Sequence, residues 1–200
     1  MSSGPAATTR DRILEAALKL IERGQSGPVS MAAIAKATGV SRQALYLTFA
    51  DRADLYIALV RRVDEARGVP AEAAKVESAP DGVTALRAFI DMQARMLPAH
   101  RPIAYAFDVL RRQDPDAERA WQDRLESRLR QCRTIVSRLK AEGRLRPGLD
   151  PETAADIAWT LSSFRTWDDL VTQRGWTAER YREQVTELLL EALVDPQARA

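Results

Sequence analysis

The sequence predicts an all-α protein, and three observations support that prediction. Apolar residues recur at intervals of three and four along most of the chain, as expected where one face of each helix packs on a core. Helix-starting pairs, Asp114 with Pro115 and Asp150 with Pro151, precede two of these stretches. No segment of convincing length alternates apolar and polar residues as a half-buried strand does.

Two short helices separated by a three-residue turn are predicted within residues 30–49. The hydroxyl of Ser30 can cap the first helix, and that of Ser41 can cap the second. Between them Gly39 supplies the positive φ of a sharp turn. Leu45 begins the inward face of the second helix. This arrangement is typical of a DNA-binding helix-turn-helix.

The outward side of the second helix suits base recognition. It begins with Arg42, which fits the paired acceptors of guanine, and Gln43, which fits the acceptor and donor of adenine. Tyr46 and Leu47 lie one turn further on, and Arg52 at the next helix start can hold a phosphate. The alternative is a solvated polar surface, but the two-helix frame favours DNA binding.

Helices also fill the remainder of the chain. Residues 68–80 are predicted to be a linker before a helix that begins near Asp81. Pro98 and Pro102 are expected to break that helix and leave a shorter one over residues 103–110. Further helices are predicted from Pro115 to Gly143, from Pro151 to Gly175 and from a cap at Thr177 onward.

The last two predicted helices carry more apolar surface than one partner can cover. The helix that ends near Gly175 is apolar round much of its circumference. Pairing both helices with a second copy forms a four-helix bundle, and a twofold dimer presents two recognition helices to two half-sites. The interface residues we expect are Trp159, Leu161, Tyr181, Leu188 and Leu189.

Composition excludes several classes of function. The 200 residues include one cysteine, Cys132, and one histidine, His100, too few for an internal disulfide or a histidine metal cluster, so we expect no cofactor and no metal. Cys132 is expected in the core and His100 at a helix junction. No phosphate loop or catalytic motif is present, so we expect no enzyme. No apolar run is long enough for a membrane helix and the first ten residues lack a signal peptide's apolar segment, so we expect a cytoplasmic protein.

Residues 9 to 59 resemble the N-terminal domain of the TetR family of bacterial transcriptional repressors. The resemblance is carried by a first helix ended by Gly24, the turn Gly39-Val40-Ser41, the Leu45-Tyr46 pair, Phe49 and Arg52. It implies a homodimeric repressor that a small molecule releases from operator DNA. It also implies a DNA-binding domain over residues 1–56, with the helix-turn-helix at 30–49, and a helical effector-binding and dimerisation domain over residues 57–200.

The resemblance assigns DNA contacts residue by residue. Base or phosphate contacts fall on Arg42, Gln43 and Tyr46, and phosphate contacts fall on Ser30, Ala44 and Arg52. Two positions depart from the family pattern. Ala32, followed by Ala33, replaces an arginine that often contacts a base, and Thr48 replaces a common histidine, although its hydroxyl can still contact a phosphate. Ala32 and Ala33 leave open an alternative, a helical ligand-binding or interaction protein without specific DNA binding.

The resemblance also implies an effector cavity, and large apolar side chains suit an apolar or aromatic ligand. Each of these residues can instead be plain core. The arginines at 61, 62, 111 and 112 are expected on solvated faces. The candidate effector residues are Phe89, Met92, Met96, Tyr105, Trp121, Phe164 and Trp167.

Overall fold

The computed structural model of the chain describes residues 8–23 and 29–198, and the predicted all-α fold is confirmed within them. One isolated antiparallel bridge, between Leu145 and Val194, is not helical. The predicted end of the first helix at Gly24 lies outside the described residues. The helices are α1 (Thr9–Arg23), α2 (Met31–Thr38), α3 (Arg42–Thr48), α4 (Arg52–Ala66), α5 (Val69–Glu77), α6 (Gly82–Arg111), α7 (Pro115–Ala141), α8 (Pro151–Leu161), α9 (Phe164–Trp167) and α10 (Ala178–Leu193).

The helices form two compact units. Unit 1 contains the chain up to Asp64 together with His100–Asp123, and unit 2 contains Glu65–Ala99 and the chain from Arg124 onward. Helices α4, α6 and α7 therefore each contribute residues to both units. The functional division expected between residues 56 and 57 stays a prediction.

An aromatic cluster joins the later residues of unit 1 to its N-terminal helices. The rings of Tyr56 and Phe107 lie 5.6 Å apart, and the ring of Trp121 meets Phe107 edge-on at 5.5 Å. The Tyr56 hydroxyl accepts a hydrogen bond from the Val29 backbone N–H at 3.1 Å. Burial raises the pKa of this phenol, so the hydroxyl stays protonated at neutral pH. Val29, just before α2, is thus held against α4.

Unit 2 has its core among α6, α7, α8 and α10. The expected core position of Cys132 is confirmed, since its side chain is almost fully buried. The backbones of α6 and α7 approach closely at Gly82, where a Cβ atom would stand 2.9 Å from the Leu139 backbone nitrogen. The Gly82 N–H donates to the Glu142 carboxylate at 2.9 Å. Only glycine fits this approach without displacing α7.

The predicted linker over residues 68–80 is wrong, because α5 (Val69–Glu77) occupies most of it. Pro70 lies in the first turn of this helix, where its missing N–H has no intrahelical partner to lose. The residues that follow are mainly alanine, glutamate and lysine, which favour helix. The helix-forming residues outweigh the Gly68 and Pro70 signals on which the linker prediction depended.

The predicted break at Pro98 and Pro102 is also wrong, because α6 continues through both as one helix of 30 residues. A proline removes one hydrogen bond to the preceding turn and introduces strain, but it does not end a helix whose flanking turns are packed. Leu97 and Ile103, on either side of the prolines, are both buried.

The single helix predicted from Pro151 to Gly175 is interrupted. Helix α8 ends at Leu161, and α9 begins after Ser163, whose hydroxyl accepts from the Thr166 N–H at 3.0 Å. Serine side chains compete for backbone groups in this way and favour helix ends over helix interiors. The residues after α9, Asp168–Gln173, form a π-helical turn. The predicted caps at Asp114, Asp150 and Thr177 are confirmed, each accepting from backbone N–H groups of the following turn.

Candidate nucleic-acid interface

Helices α2 and α3 form the predicted two-helix motif with the predicted local chemistry. The Ser30 hydroxyl accepts from the Ala33 N–H at 3.2 Å, and the Ser41 hydroxyl accepts from the Ala44 N–H at 3.1 Å. Gly39 follows α2 with a φ of 70°. This φ is open to glycine at little cost, so Gly39 fixes the direction in which the chain enters α3.

The inward face of α3 anchors it to unit 1. Leu45 and Phe49 are fully buried, as is Ile34 of α2. The guanidinium of Arg10 lies over the Phe49 ring, 4.9 Å from its centroid. Because α3 has only seven residues, these tertiary contacts hold it in place more than its intrinsic helicity does.

The opposite face of α3 is open to solvent. Arg42 and Gln43 are exposed, Tyr46 is 53% exposed and Leu47 is 83% exposed. Neither α2 nor α3 contains an acidic residue, and the charged side chains on these two helices are the cations of Lys36 and Arg42. A face of this shape and charge can approach a polyanionic groove without like-charge repulsion.

The predicted phosphate contacts have more varied surroundings. Ser30 is exposed and Ala44 is half-buried. The half-buried Thr48 donates its hydroxyl proton to the Ala44 carbonyl at 2.8 Å, so donation to a phosphate requires this bond to break. The Arg52 guanidinium lies 3.7 Å from the Asp114 carboxylate. A DNA phosphate that binds Arg52 must therefore compete with the Asp114 carboxylate for the guanidinium. The sequence did not indicate this contact.

The seven candidate effector residues are divided between the units. Phe89, Met92 and Trp167 are buried in unit 2, where the indole N–H of Trp167 has no hydrogen-bond partner. Met96 and Phe164 are half-buried in unit 2, whereas Tyr105 and Trp121 are half-buried in unit 1. A surface groove of about 230 Å³ lies between α6 and α10 and one of about 350 Å³ lies along α1 and α2. None of the seven residues lines either groove.

The expected dimer residues differ in how much surface they offer. Tyr181 and Leu189 are fully buried, and the Tyr181 hydroxyl donates to the Leu161 carbonyl at 3.0 Å. The half-buried Trp159 donates its indole N–H to the Leu125 carbonyl at 3.2 Å. Leu188 is 50% exposed, which makes it the candidate most open to a second copy.

Sequence reasoning missed a half-buried arginine in unit 2, Arg128. Arg128 donates to the Trp159 carbonyl and to the Ser162 hydroxyl, the latter at 3.0 Å, and its guanidinium lies over the Trp159 ring. Burial lowers the pKa of Arg128 to about 10 and raises that of the neighbouring Cys132 thiol to about 11. Through its hydrogen bond to the Trp159 carbonyl, Arg128 provides a partner for a backbone oxygen in the last turn of α8.

The expectation of a solvated face is confirmed for the exposed Arg61 and Arg112, whereas Arg62 and Arg111 are half-buried beside carboxylates. Arg62 lies 2.8 Å from Asp11, and Arg111 and Arg112 each lie 2.7 Å from Asp108, three and four residues earlier on α6. That spacing was a usable signal in the sequence.

The expectation for His100 is wrong. It lies inside α6 instead of at a junction, and its Nε2 is 2.6 Å from the Asp64 carboxylate.

No helix in the described part of the chain is long and apolar enough to cross a membrane.

Comparison with protein families supports the interpretation of α2 and α3. A model described as "Bacterial regulatory proteins, tetR family" matches residues 13–59, which span most of α1 together with α2, α3 and the first half of α4. A search of curated protein sequences finds no significant match.

Solved structures with the same fold include several regulators. The transcriptional regulator FadR from Bacillus subtilis, in complex with stearoyl-CoA, is 19% identical, with a TM-score of 0.72, 90% of this chain and 97% of that chain covered. A putative transcriptional regulator from Saccharomonospora viridis, in complex with choline, is 18% identical, with a TM-score of 0.71 and coverages of 93% and 97%. NalD, the secondary repressor of the MexAB-OprM multidrug efflux pump in Pseudomonas aeruginosa, is 22% identical, with a TM-score of 0.67 and coverages of 94% and 98%.

Proposed function

We propose that the chain, whose N-terminal helices match the TetR family and whose fold is shared by solved regulators, is a repressor that binds operator DNA as a homodimer. A small molecule releases it, and it acts in the cytoplasm by binding alone, without catalysis. The observation that carries the proposal is the exposed face of α3. Arg42, Gln43 and Tyr46 lie there on a helix that is capped at its start and buried on its other side.

Each side chain on this face has a defined role in the proposal. Arg42 and Gln43 occupy the first turn of α3, the part that contacts base edges in the major groove, and they supply sequence preference. Tyr46 packs on sugar and hydrogen-bonds to a phosphate or base. Ser30, Ala44, Thr48 and Arg52 position the motif on the phosphate backbone without selecting a sequence.

The dimer follows from the small footprint of one motif. One α3 of seven residues contacts few bases, and a twofold pair contacts two half-sites about one helical turn apart. Leu188, half exposed on α10, together with the partly accessible Trp159 and Leu161, provides the surface on which a second copy packs. Sedimentation of the wild type at micromolar concentration tests this step, and a monomer there contradicts it.

The effector is proposed to be an apolar or aromatic small molecule bound within unit 2. Structures of similar fold hold stearoyl-CoA and choline, so this architecture accommodates small molecules in other regulators. Phe89, Met92, Met96, Phe164 and Trp167 share unit 2, and the unpaired indole N–H of Trp167 offers one donor to a polar atom of the ligand. Release requires that the ligand prefer the DNA-incompetent state.

A mobility-shift assay with duplex DNA from beside the protein's own coding region tests the proposal. Retardation of that duplex in excess random competitor supports specific DNA binding, and its loss in Arg42→Ala assigns the binding to α3. If the wild type retards no duplex above the random competitor, the alternative of a helical ligand-binding or interaction protein replaces this proposal.

A compound screen then tests the effector step. Trp159, Trp167 and Trp176 lie in unit 2, so tryptophan emission reports ligand occupancy there. Trp121→Phe removes the tryptophan of unit 1 and makes the signal specific. Compounds that change the emission saturably and weaken operator binding support the proposal, whereas saturable binding without any effect on the operator contradicts it.

A further inference from the structure

Helix α3 exposes a large aliphatic side chain that the proposed base contacts do not use. Within residues 8–23 and 29–198, the large hydrophobic side chains with substantial exposure are those of Tyr46, Leu47 and Leu188. Two of the three are consecutive on α3, and Leu47 is the most exposed of them at 83%. A single exposed leucine needs no explanation, but Tyr46 and Leu47 together give this short helix apolar surface that a binding partner can cover.

The direction of the Leu47 side chain follows from helix geometry. Successive residues of an α-helix are rotated by about 100°, so Gln43 and Leu47 lie about 160° and 200° round the axis from the fully buried Leu45. Both side chains therefore leave the helix directly opposite its core-facing side. Leu47 also follows Gln43 by four residues, which places the two one above the other on the same stripe.

The chemistry of this stripe selects the partner. Gln43 can hydrogen-bond to a base edge, while the isobutyl group of Leu47 can make only apolar contacts. In the major groove the apolar feature of a base pair is the C5 methyl group of thymine. The absence of acidic residues on α2 and α3 leaves nothing on the motif to repel the phosphates that flank such a contact.

We propose that Leu47 is a further specificity residue, which packs on the C5 methyl of a thymine one or two base pairs from the one contacted by Gln43. The inference rests on the proposed operator binding. Side chains one turn apart are separated by about 5–6 Å and base pairs by about 3.4 Å, so the thymine lies one to two base pairs from the Gln43 contact.

Deoxyuridine substitution tests the contact one methyl group at a time. A preferred operator is first selected from random duplex DNA with the full-length wild-type protein. Each thymine of one half-site is then replaced by deoxyuridine, which lacks only the C5 methyl. We expect one replacement to weaken binding about fourfold, the effect of losing one buried methyl-sized contact.

Variants of Leu47 assign the effect to this side chain. Leu47→Ala should bind the thymine and deoxyuridine operators equally at that position, and Leu47→Met, which keeps an apolar side chain, should retain the discrimination. Thermal unfolding of Leu47→Ala should match the wild type because the side chain is exposed.

Two outcomes overturn the inference. Equal wild-type affinity for all deoxyuridine operators contradicts a methyl contact, and discrimination that persists in Leu47→Ala assigns the contact to another residue. In both cases the proposed operator binding stands. Failure of the wild type to select any sequence overturns the proposed function itself, and the inference falls with it.

Discussion

The two-helix motif of unit 1, α2 and α3, exposes its candidate binding side chains to solvent, whereas several candidate effector residues of unit 2 are buried. Arg42, Gln43 and Leu47 point to solvent from a helix fixed on its other side. Phe89 and Trp167 are buried in the core of unit 2. Surface residues held by a rigid frame are free to serve binding alone, whereas buried residues must serve packing whether or not they also contact a ligand.

Because of this difference in exposure, substitutions that alter DNA binding should differ from those that alter the free energy of unfolding. Changes on the α3 face should alter DNA affinity and leave unfolding unchanged. Changes among the buried candidates of unit 2 should alter unfolding first.

The largest effect is expected from truncating a buried phenylalanine. Phe89→Ala should lower the free energy of unfolding by about 3–5 kcal/mol, because it removes a fully buried ring and leaves a cavity. Denaturant unfolding at one fixed protein concentration measures it, since the proposed dimer would make apparent stability depend on concentration. Phe49→Ala, which empties an equally buried site in unit 1, is the matched control.

The comparison between the two phenylalanines decides what Phe89 does. Equal losses identify Phe89 as ordinary core. A loss for Phe89→Ala well below that for Phe49→Ala contradicts close packing at Phe89 and favours a side chain that lines an effector cavity.

An alkaline loss of stability is expected from unit 2. Burial raises the pKa of the Cys132 thiol from 9.0 to about 11. Below pH 9 the thiol is protonated in both the folded and the unfolded chain, so its ionisation does not change the free energy of unfolding. Between pH 9 and 11 only the unfolded chain releases this proton, which lowers the free energy of unfolding by about 3 kcal/mol. Denaturant unfolding from pH 8 to 11 measures this loss.

Cys132→Ala isolates the thiol contribution. The buried phenols of Tyr56 and Tyr181 also have raised pKa values, so their alkaline loss adds to that of the thiol and persists in the variant. A shallower dependence on pH in Cys132→Ala is the expected result. Identical slopes for variant and wild type contradict a buried thiol.

The same contrast explains what the sequence did and did not predict. The caps at Ser30 and Ser41 and the turn at Gly39 are local devices, and they were predictable because each depends on neighbours within four residues. The continuity of α6 through Pro98 depends on burial of its flanking turns by distant residues, which a local pattern does not encode.

Candidate sites followed the same rule. The exposed face of α3 was predictable because its inward residues fix the outward ones. The Arg52 contact with Asp114 joins residues 62 positions apart, and the placement of Trp121 against Phe107 depends on the end of α6. Neither contact has a signal in the sequence, so neither the acidic neighbour of Arg52 nor the placement of Trp121 in unit 1 was predictable.

Smaller effects are expected on the DNA-binding surface. Arg42→Ala should cost about 1–3 kcal/mol of operator affinity and relax the preference at one base pair per half-site, because it removes a base contact. Arg52→Ala should weaken binding to all sequences and lower the salt slope by about one unit per half-site. Titrations of operator and random duplex over a range of salt concentrations distinguish the two.

Asp114→Asn tests whether the acidic neighbour restrains Arg52. Asparagine preserves the cap of α7 but removes the negative charge 3.7 Å from the guanidinium. We expect tighter binding to random DNA in this variant and none of this gain when it is combined with Arg52→Ala.

For Arg42→Ala, an equal loss of affinity for operator and for random DNA would refute the base-contact role of Arg42.

The smallest effect is expected from removing a helix cap, and a matched pair of serines makes it the most direct test of the contrast. Ser41→Ala and Ser163→Ala each remove one hydroxyl that accepts from a backbone N–H at 3.0–3.1 Å, in unit 1 and unit 2 respectively. Each should lower the free energy of unfolding by about 1 kcal/mol. Only Ser41→Ala should also weaken operator binding, because its N–H partner lies in the turn of α3 that carries Arg42 and Gln43. If Ser163→Ala reduces operator affinity as much as Ser41→Ala at equal stability, α9, the helix that Ser163 caps, also affects DNA binding. The separation of binding in unit 1 from packing in unit 2 then fails.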